Sequence, residues 1–281
     1  NPGMRSNIDV NGINDLLGPG GGSKLVARNA EAAIKVETGM KGVKIMNLMV
    51  SGGTEARNIG IHFVGATDNG MLSNIIGINL HTGVKIEQAK NMQIVNCWVC
   101  ELPNSIELIG GENIVVKNCQ LGAQPTGITC KVQEVNKLSF INNQVYPDGR
   151  ENLVLDACNN CVIEGNNFKS YYNGILVLNG NDNTVNKNIF WLTGAVQNQL
   201  LDHGDDFGII NVKGNNNMVA SNSLSCEWAY AGAVTVNAVQ GTGNVFKNCF
   251  VDNLESYRVF LVNAQTEVSN CVSSDKVSIV E

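Results

Sequence analysis

The sequence predicts an all-β chain, a parallel β-solenoid of about ten coils of 22–26 residues, and three observations carry that prediction. First, one phrase recurs: an apolar strand, a short turn and an asparagine, as in NMQIVNCWV, NIVVKNCQL, KLSFINNQV, CVIEGNNF, NTVNKNIF, NMVASNSL, NVFKNCFV and TEVSNCV. Second, its asparagines (Asn96, Asn118, Asn143, Asn166, Asn188, Asn222, Asn248 and Asn270) are spaced by 22, 25, 23, 22, 34, 26 and 22 residues. Third, no helical periodicity runs inside the repeat. A period in the low twenties built of strand and turn is the signature of stacked parallel coils.

Each coil reads as two strands. A short strand follows a glycine or turn residue (GVKI, SIEL, GITC, NLVL, GILVL, GIINV, GAVTV, RVFLV), and about ten residues later comes the asparagine strand. In IVVKNCQL, Val116 and Cys119 both point inward only if the backbone bends at Asn118, and asparagine tolerates the left-handed conformation such a bend needs. Stacked at ~4.8 Å, the amides are also expected to form a hydrogen-bonded ladder. The asparagines are therefore read as structural first.

Composition narrows the function. With 281 residues and one continuous repeat, residues 1–281 read as a single elongated domain. A net charge of −6 leaves no basic footprint for nucleic acid or an anionic membrane. The longest apolar runs are too short to span a bilayer, and no signal peptide is visible. Nine cysteines cannot all pair within the chain. Cys97, Cys119, Cys249 and Cys271 each follow a repeat asparagine, the phase of a small inward residue. CWVC and CNNC have metal-like spacing but no accompanying histidine, so the cysteines are read as reduced core thiols with no metal site assigned. Free thiols lean toward a cytoplasmic setting, with secretion left open.

Two irregularities point to function. Between Asn188 and Asn222 the period swells to 34 residues, and the extra stretch holds Asp202, His203, Asp205 and Asp206. Insertions in solenoids fall on one face, often the binding face. A solvated turn and a substrate-contacting loop both remain open for it. Separately, NLVL, GILVL and RVFLV do not alternate apolar with polar, so their outer face is expected to be covered, by another copy or by a cap. Among carboxylates, Glu107 stands out. In SIEL, Ile106 and Leu108 point inward and Glu107 outward, where an apolar neighbour would raise its pKa as a general acid requires. Glu101 lies in the preceding turn.

The segments NSIELIGGENIVVKNCQLGAQPTGIT, VYPDGRENLVLDACNNCVIEGNNF, YYNGILVLNG and GDDFGIINVKGNNNMVASN, in this order and spacing, resemble the inulin fructotransferase and difructose-anhydride hydrolase family of right-handed parallel β-helix enzymes. MRSNIDVNG near the start fits as well, which implies that an N-terminal part of the family fold is absent. The resemblance implies a homotrimer with active sites between neighbouring subunits and no metal or organic cofactor. It also implies a fructan or difructose anhydride as substrate. In such enzymes a fructose hydroxyl attacks the anomeric carbon of its neighbour, releasing a cyclic anhydride, and some relatives hydrolyse that product.

The family's catalytic Asp and Glu fall on Asn96 and Glu107. Asn96 is a departure, because an amide holds a sugar hydroxyl but does not take its proton. Three explanations stay open: altered chemistry drawing on Glu101 or the Asp205–Asp206 loop, a carbohydrate-binding relative without catalysis, or an engineered substitution. Arg150 in YPDGR and Asp205 and Asp206 in GDDFG match family positions and, with Glu101, are the candidates for substrate binding. The leading expectation is a fructan-processing enzyme with Glu107 as general acid/base. Its alternative is a non-catalytic fructo-oligosaccharide-binding or structural solenoid.

Overall fold

The computed structural model describes residues 9–11, 24–27, 31–52, 58–193, 207–226, 234–252, 258–272 and 277–280. Twenty-five strands join into one continuous sheet, and every strand pairing recorded is parallel. The coil has three faces. The first begins with Ala32–Val36 and Ile59–Phe63 and continues through residues 82–87, 104–109 and 128–133 to Glu151–Asp156, Leu176–Asn179 and Ile210–Val212. The second includes Val162–Glu164 and Thr184–Asn186, and the third Asn167–Ser170 and Ile189–Leu192. In three coils the backbone stays extended round the corners, as Thr82–Val95, Trp98–Lys117 and Gln120–Ile141.

Alternation within each short strand decides what the interior holds. On the first face Ile61, Val84, Ile106, Cys130, Leu153 and Leu176 stack in register and are buried. On the third, Phe168 and Phe190 stack at 4.9 Å with ring planes 5° apart, and Phe140 joins them from the second face at 6.0 Å. Fully burying one such ring stabilises the coil by roughly 1.5–3 kcal/mol. All nine cysteines are free thiols, eight of them buried, as their inward phase predicts.

The repeat asparagines divide into two columns, which corrects the single ladder expected from the sequence. At the corner between second and third faces, Asn96, Asn118, Asn142, Lys187, Ser221, Asn248 and Asn270 have φ between 51° and 57°, and Gly165 has 68°. The residue after each of these points inward. That inward column reads Cys97, Cys119, Asn143, Asn166, Asn188, Asn222, Cys249 and Cys271, and every member is buried. Only the inner column makes the buried ladder: Asn143 Nδ2 donates to Asn166 Oδ1 (3.0 Å), Asn166 to Asn188 (2.9 Å) and Asn188 to Asn222 (3.0 Å). Asn96 therefore belongs to the left-handed corner, and its neighbour Cys97 to the ladder. A second ladder, Asn183, Asn217 and Asn244, closes the corner between first and second faces.

At that second ladder each amide also donates to a backbone carbonyl, Asn217 to Gly180 O and Asn244 to Gly214 O, both at 2.9 Å. A Cβ on Gly214 would run into the Gly180 carbonyl. Gly214→Ala must push that carbonyl off its amide partner. It is expected to lower unfolding stability by about 1–3 kcal/mol, read as a shift of the urea midpoint.

Candidate functional site

Among the described residues the corner between third and first faces shows no asparagine ladder, and its connections are of unequal length. Glu101 (φ 62°) stands there, exposed, where the strand register slips between Val99 and Leu102. Arg150 occupies the same corner two coils further on, its backbone N–H donating to Gly127 O at 2.9 Å and its Nε 3.8 Å from Glu151 Oε1. Leu192 on the third face and Ile210 on the first flank the insertion. Asp202, His203, Asp205 and Asp206 lie outside the described residues. Despite the insertion the stacking continues: Ile189 pairs with Ser223, and Leu176 with Ile210.

Glu107 lies on the first face next to this corner. Ile106 and Leu108 are each 1% exposed and point inward, so Glu107 points outward as its strand parity predicts, half-buried. Lys85 and Lys131 are its partners in register on either side, so within one chain its neighbours are cationic. A hydrogen bond to Glu87 holds the Lys85 ammonium above the ordinary lysine range, partly opposed by desolvation, and the negative charges of Glu87 and Glu107 add to the rise. The Lys85 ammonium lies 2.9 Å from Glu87 Oε1, and the same bond keeps the Glu87 carboxyl below its usual range.

A polar chain reaches Glu107 from the corner. The buried Thr82 hydroxyl donates to Glu107 Oε1 at 3.4 Å, and His81 Nδ1 lies 3.1 Å from Thr82 Oγ1. Because the hydroxyl's single proton goes to Glu107, the Thr82 oxygen meets His81 as an acceptor, with Nδ1 as the donor. Sequence reading missed both Thr82 and His81. The signal existed, since Thr82 pairs with Asn104, three residues before Glu107, but it needs the coil register to be seen. His62 points outward one coil below Lys85, as its strand position suggests. It is only 4% exposed, with Nε2 3.6 Å from Glu87 Oε1.

Asn96 is not brought to Glu107 within one chain. It lies at the corner between second and third faces, exposed, and lines a groove of about 590 Å³ with Met49, Asn74, Ile76, Trp98 and Gln120. Among the described residues the candidates thus divide into Glu107, Glu101 and Arg150 at or near one corner, and Asn96 at another.

Residues 126–279 match the family described as right handed beta helix region, and the described strands within that stretch pair in parallel. The chain belongs to the right-handed β-helix family. Residues 26–192 also match the family described as periplasmic copper-binding protein (NosD), which makes the chain a member of that β-helix family as well. Among the described residues no three His, Cys, Asp or Glu side chains are grouped to hold a metal ion, so these residues do not fit a copper centre.

Solved structures share the fold at low identity. DFA-IIIase from Arthrobacter chlorophenolicus A6 in complex with GF2 is 20% identical at a TM-score of 0.82, over 99% of this chain and 82% of that one. The same enzyme in complex with DFA-III is 20% identical at a TM-score of 0.74, over 90% and 70% of the two chains. The Dettilon tailspike protein is 16% identical at a TM-score of 0.51, over 90% and 60%. No curated protein sequence matches. The resemblance read from the sequence therefore holds at the level of fold. No helix among the described residues is long and apolar enough to cross a membrane.

Proposed function

We propose that this chain is a carbohydrate-active enzyme that transfers a fructosyl group within a fructan, releasing a difructose anhydride, or hydrolyses that anhydride. The observation that supports this reading most is Glu107, an outward carboxylate tied through Thr82 to His81 beside the corner that carries Glu101 and Arg150. The fold shared with DFA-IIIase and the sequence segments quoted above support the substrate class.

In the transfer, Glu107 takes the proton from the attacking sugar hydroxyl as its oxygen bonds to the anomeric carbon. The bond from that carbon to the glycosidic oxygen breaks, and Glu107 returns the proton to the departing oxygen. No net proton is gained or lost. Arg150 and Glu101 bind sugar hydroxyls at the corner, with Asp205 and Asp206 of the insertion as further binding residues. Asn96 holds a hydroxyl through its amide. Since Asn96 and Glu107 occupy different faces, a site that uses both needs the first face of one copy set against the groove of another. A homotrimer with its sites between subunits meets that need. It also covers Val154 and Val177, the outward apolar residues two and three coils above Glu107.

Asn96→Asp supplies the missing second carboxylate in a backbone conformation that aspartate tolerates. Incubation with inulin and with difructose anhydride, followed by chromatography, is expected to show product formation at least about tenfold faster for Asn96→Asp than for the unchanged chain. If both forms are inert towards both sugars, the enzyme reading fails and the non-catalytic sugar-binding reading replaces it.

A further inference from the structure

The outer surface of the third face carries an aromatic ring on every second coil. Trp98 pairs with Gln120, and Gln120 with Gln144; Tyr146, just past that strand and two residues beyond Gln144, stands two coils above Trp98 and one outward column across, its N–H donating to Leu121 O. Two coils further, Trp191 pairs with Lys169 below it. Two coils beyond that, Phe250 pairs with Ser223, which pairs with Ile189. Trp98, Tyr146, Trp191 and Phe250 thus rise by two strand spacings at each step along the axis, about 9.6 Å given ~4.8 Å per strand. They are divided between two outward columns, with Trp98 and Phe250 in one and Tyr146 and Trp191 in the next, two residues or roughly 7 Å across. The axial rise is close to the length of a disaccharide in an extended glycan.

The rings are held in place. A Cβ on Gly122 would sit 3.0 Å from Tyr146 Cβ, so the glycine makes room for the tyrosine, whose hydroxyl donates to Gln120 Oε1 at 3.0 Å. Lys169 Nζ lies 4.9 Å from the centre of the Trp191 ring. Tyr146 is 40% exposed and Phe250 52%. Between the rings stand the amides and hydroxyls of Gln120, Gln144, Asn167, Ser223 and Ser225, together with the exposed Ile189. Charge is sparse, with Lys169 and Asp252 the two ionic side chains of these columns. At the Trp98 end the stripe opens into the 590 Å³ groove.

Aromatic faces stack on the C–H faces of sugar rings, and uncharged amides and hydroxyls pair with sugar hydroxyls. A two-column band of rings with a disaccharide rise along the axis, on a face of low charge, suits an uncharged polymer better than an anionic one. We infer that the third face binds an extended neutral oligosaccharide laid along the solenoid axis from the Trp98 groove towards Phe250. Its identity as the fructan chain beyond the reacting end rests on the function proposed above; the binding surface does not.

Titration calorimetry on the full chain, with a fructan trisaccharide and with a longer fructan able to span all four rings, tests this. The longer chain is expected to bind at least about tenfold more tightly. Trp191→Ala and Tyr146→Ala should each remove most of that advantage, while Trp191→Phe, which keeps a stacking ring, should retain it. Equal affinity for both lengths, or an advantage untouched by either alanine variant, overturns the inference. So does protection of Trp191 by a second copy in crosslinking. Loss of all turnover with the length advantage intact removes the proposed reaction and supports the surface. Turnover without a length advantage does the reverse.

Discussion

Exchanging Glu107 for Gln is expected to lower fructan turnover by about 10²–10⁴-fold, the usual contribution of a positioned general acid or base. The amide is nearly isosteric and can still accept from the Thr82 hydroxyl at its 3.4 Å position, so binding and fold should persist. What it loses is the ability to hold the proton of the attacking hydroxyl until the glycosidic oxygen departs. Thr82→Val probes the same chain differently. It leaves the carboxylate in place but disconnects His81 and removes one hydrogen bond to a charged group, for about a tenfold loss. Product chromatography on both variants, with circular dichroism to verify the fold, separates the cases. If Glu107→Gln keeps full activity, the carboxylate moves no proton and the reaction must be sought elsewhere on the surface.

The parts of this site that could be read in the sequence share one property: they depend on neighbours within a strand. The outward direction of Glu107 follows from Ile106 and Leu108 flanking it, and the structure places all three so. Lys85, Lys131, Thr82 and His81 reach Glu107 across coils, and their positions depend on where each corner turns. The asparagine repeat shows how that information blurs. Asparagine suits both a left-handed corner and a buried ladder, so a single residue type marked two adjacent columns. Spacings of 25 and 26 residues arose from stepping between Asn118 and Asn143, and between Asn222 and Asn248, which occupy different columns. The aromatic stripe was hidden for the same reason, since its members are separated by coils of unequal length and shift from one outward column to the next.

The buried ladder should prove the most sensitive part of the scaffold. Asn166→Leu is expected to cost about 3–5 kcal/mol of unfolding stability, from the groups it strands. Asn166 Oδ1 receives both the backbone N–H of Asn143 (2.8 Å) and its side-chain amide (3.0 Å), and Asn166 Nδ2 donates to Phe140 O at 2.8 Å and to Asn188 Oδ1 at 2.9 Å. Leucine fills the volume but leaves the Asn143 N–H buried without an acceptor. Asn188 loses less, because its Oδ1 still accepts the Asn166 N–H at 2.9 Å. Against a total stability of roughly 5–15 kcal/mol such a loss is large. In a solenoid, where each coil is held by its two neighbours, it falls at the middle of the stack. Asn166→Cys should cost less, since the Cys119 sulfur already accepts the Cys97 N–H at 3.4 Å in the same column. Urea unfolding followed by circular dichroism measures both. A loss below about 1 kcal/mol for Asn166→Leu would mean that the coil relaxes or admits water there, and the ladder would then set register without contributing much to stability.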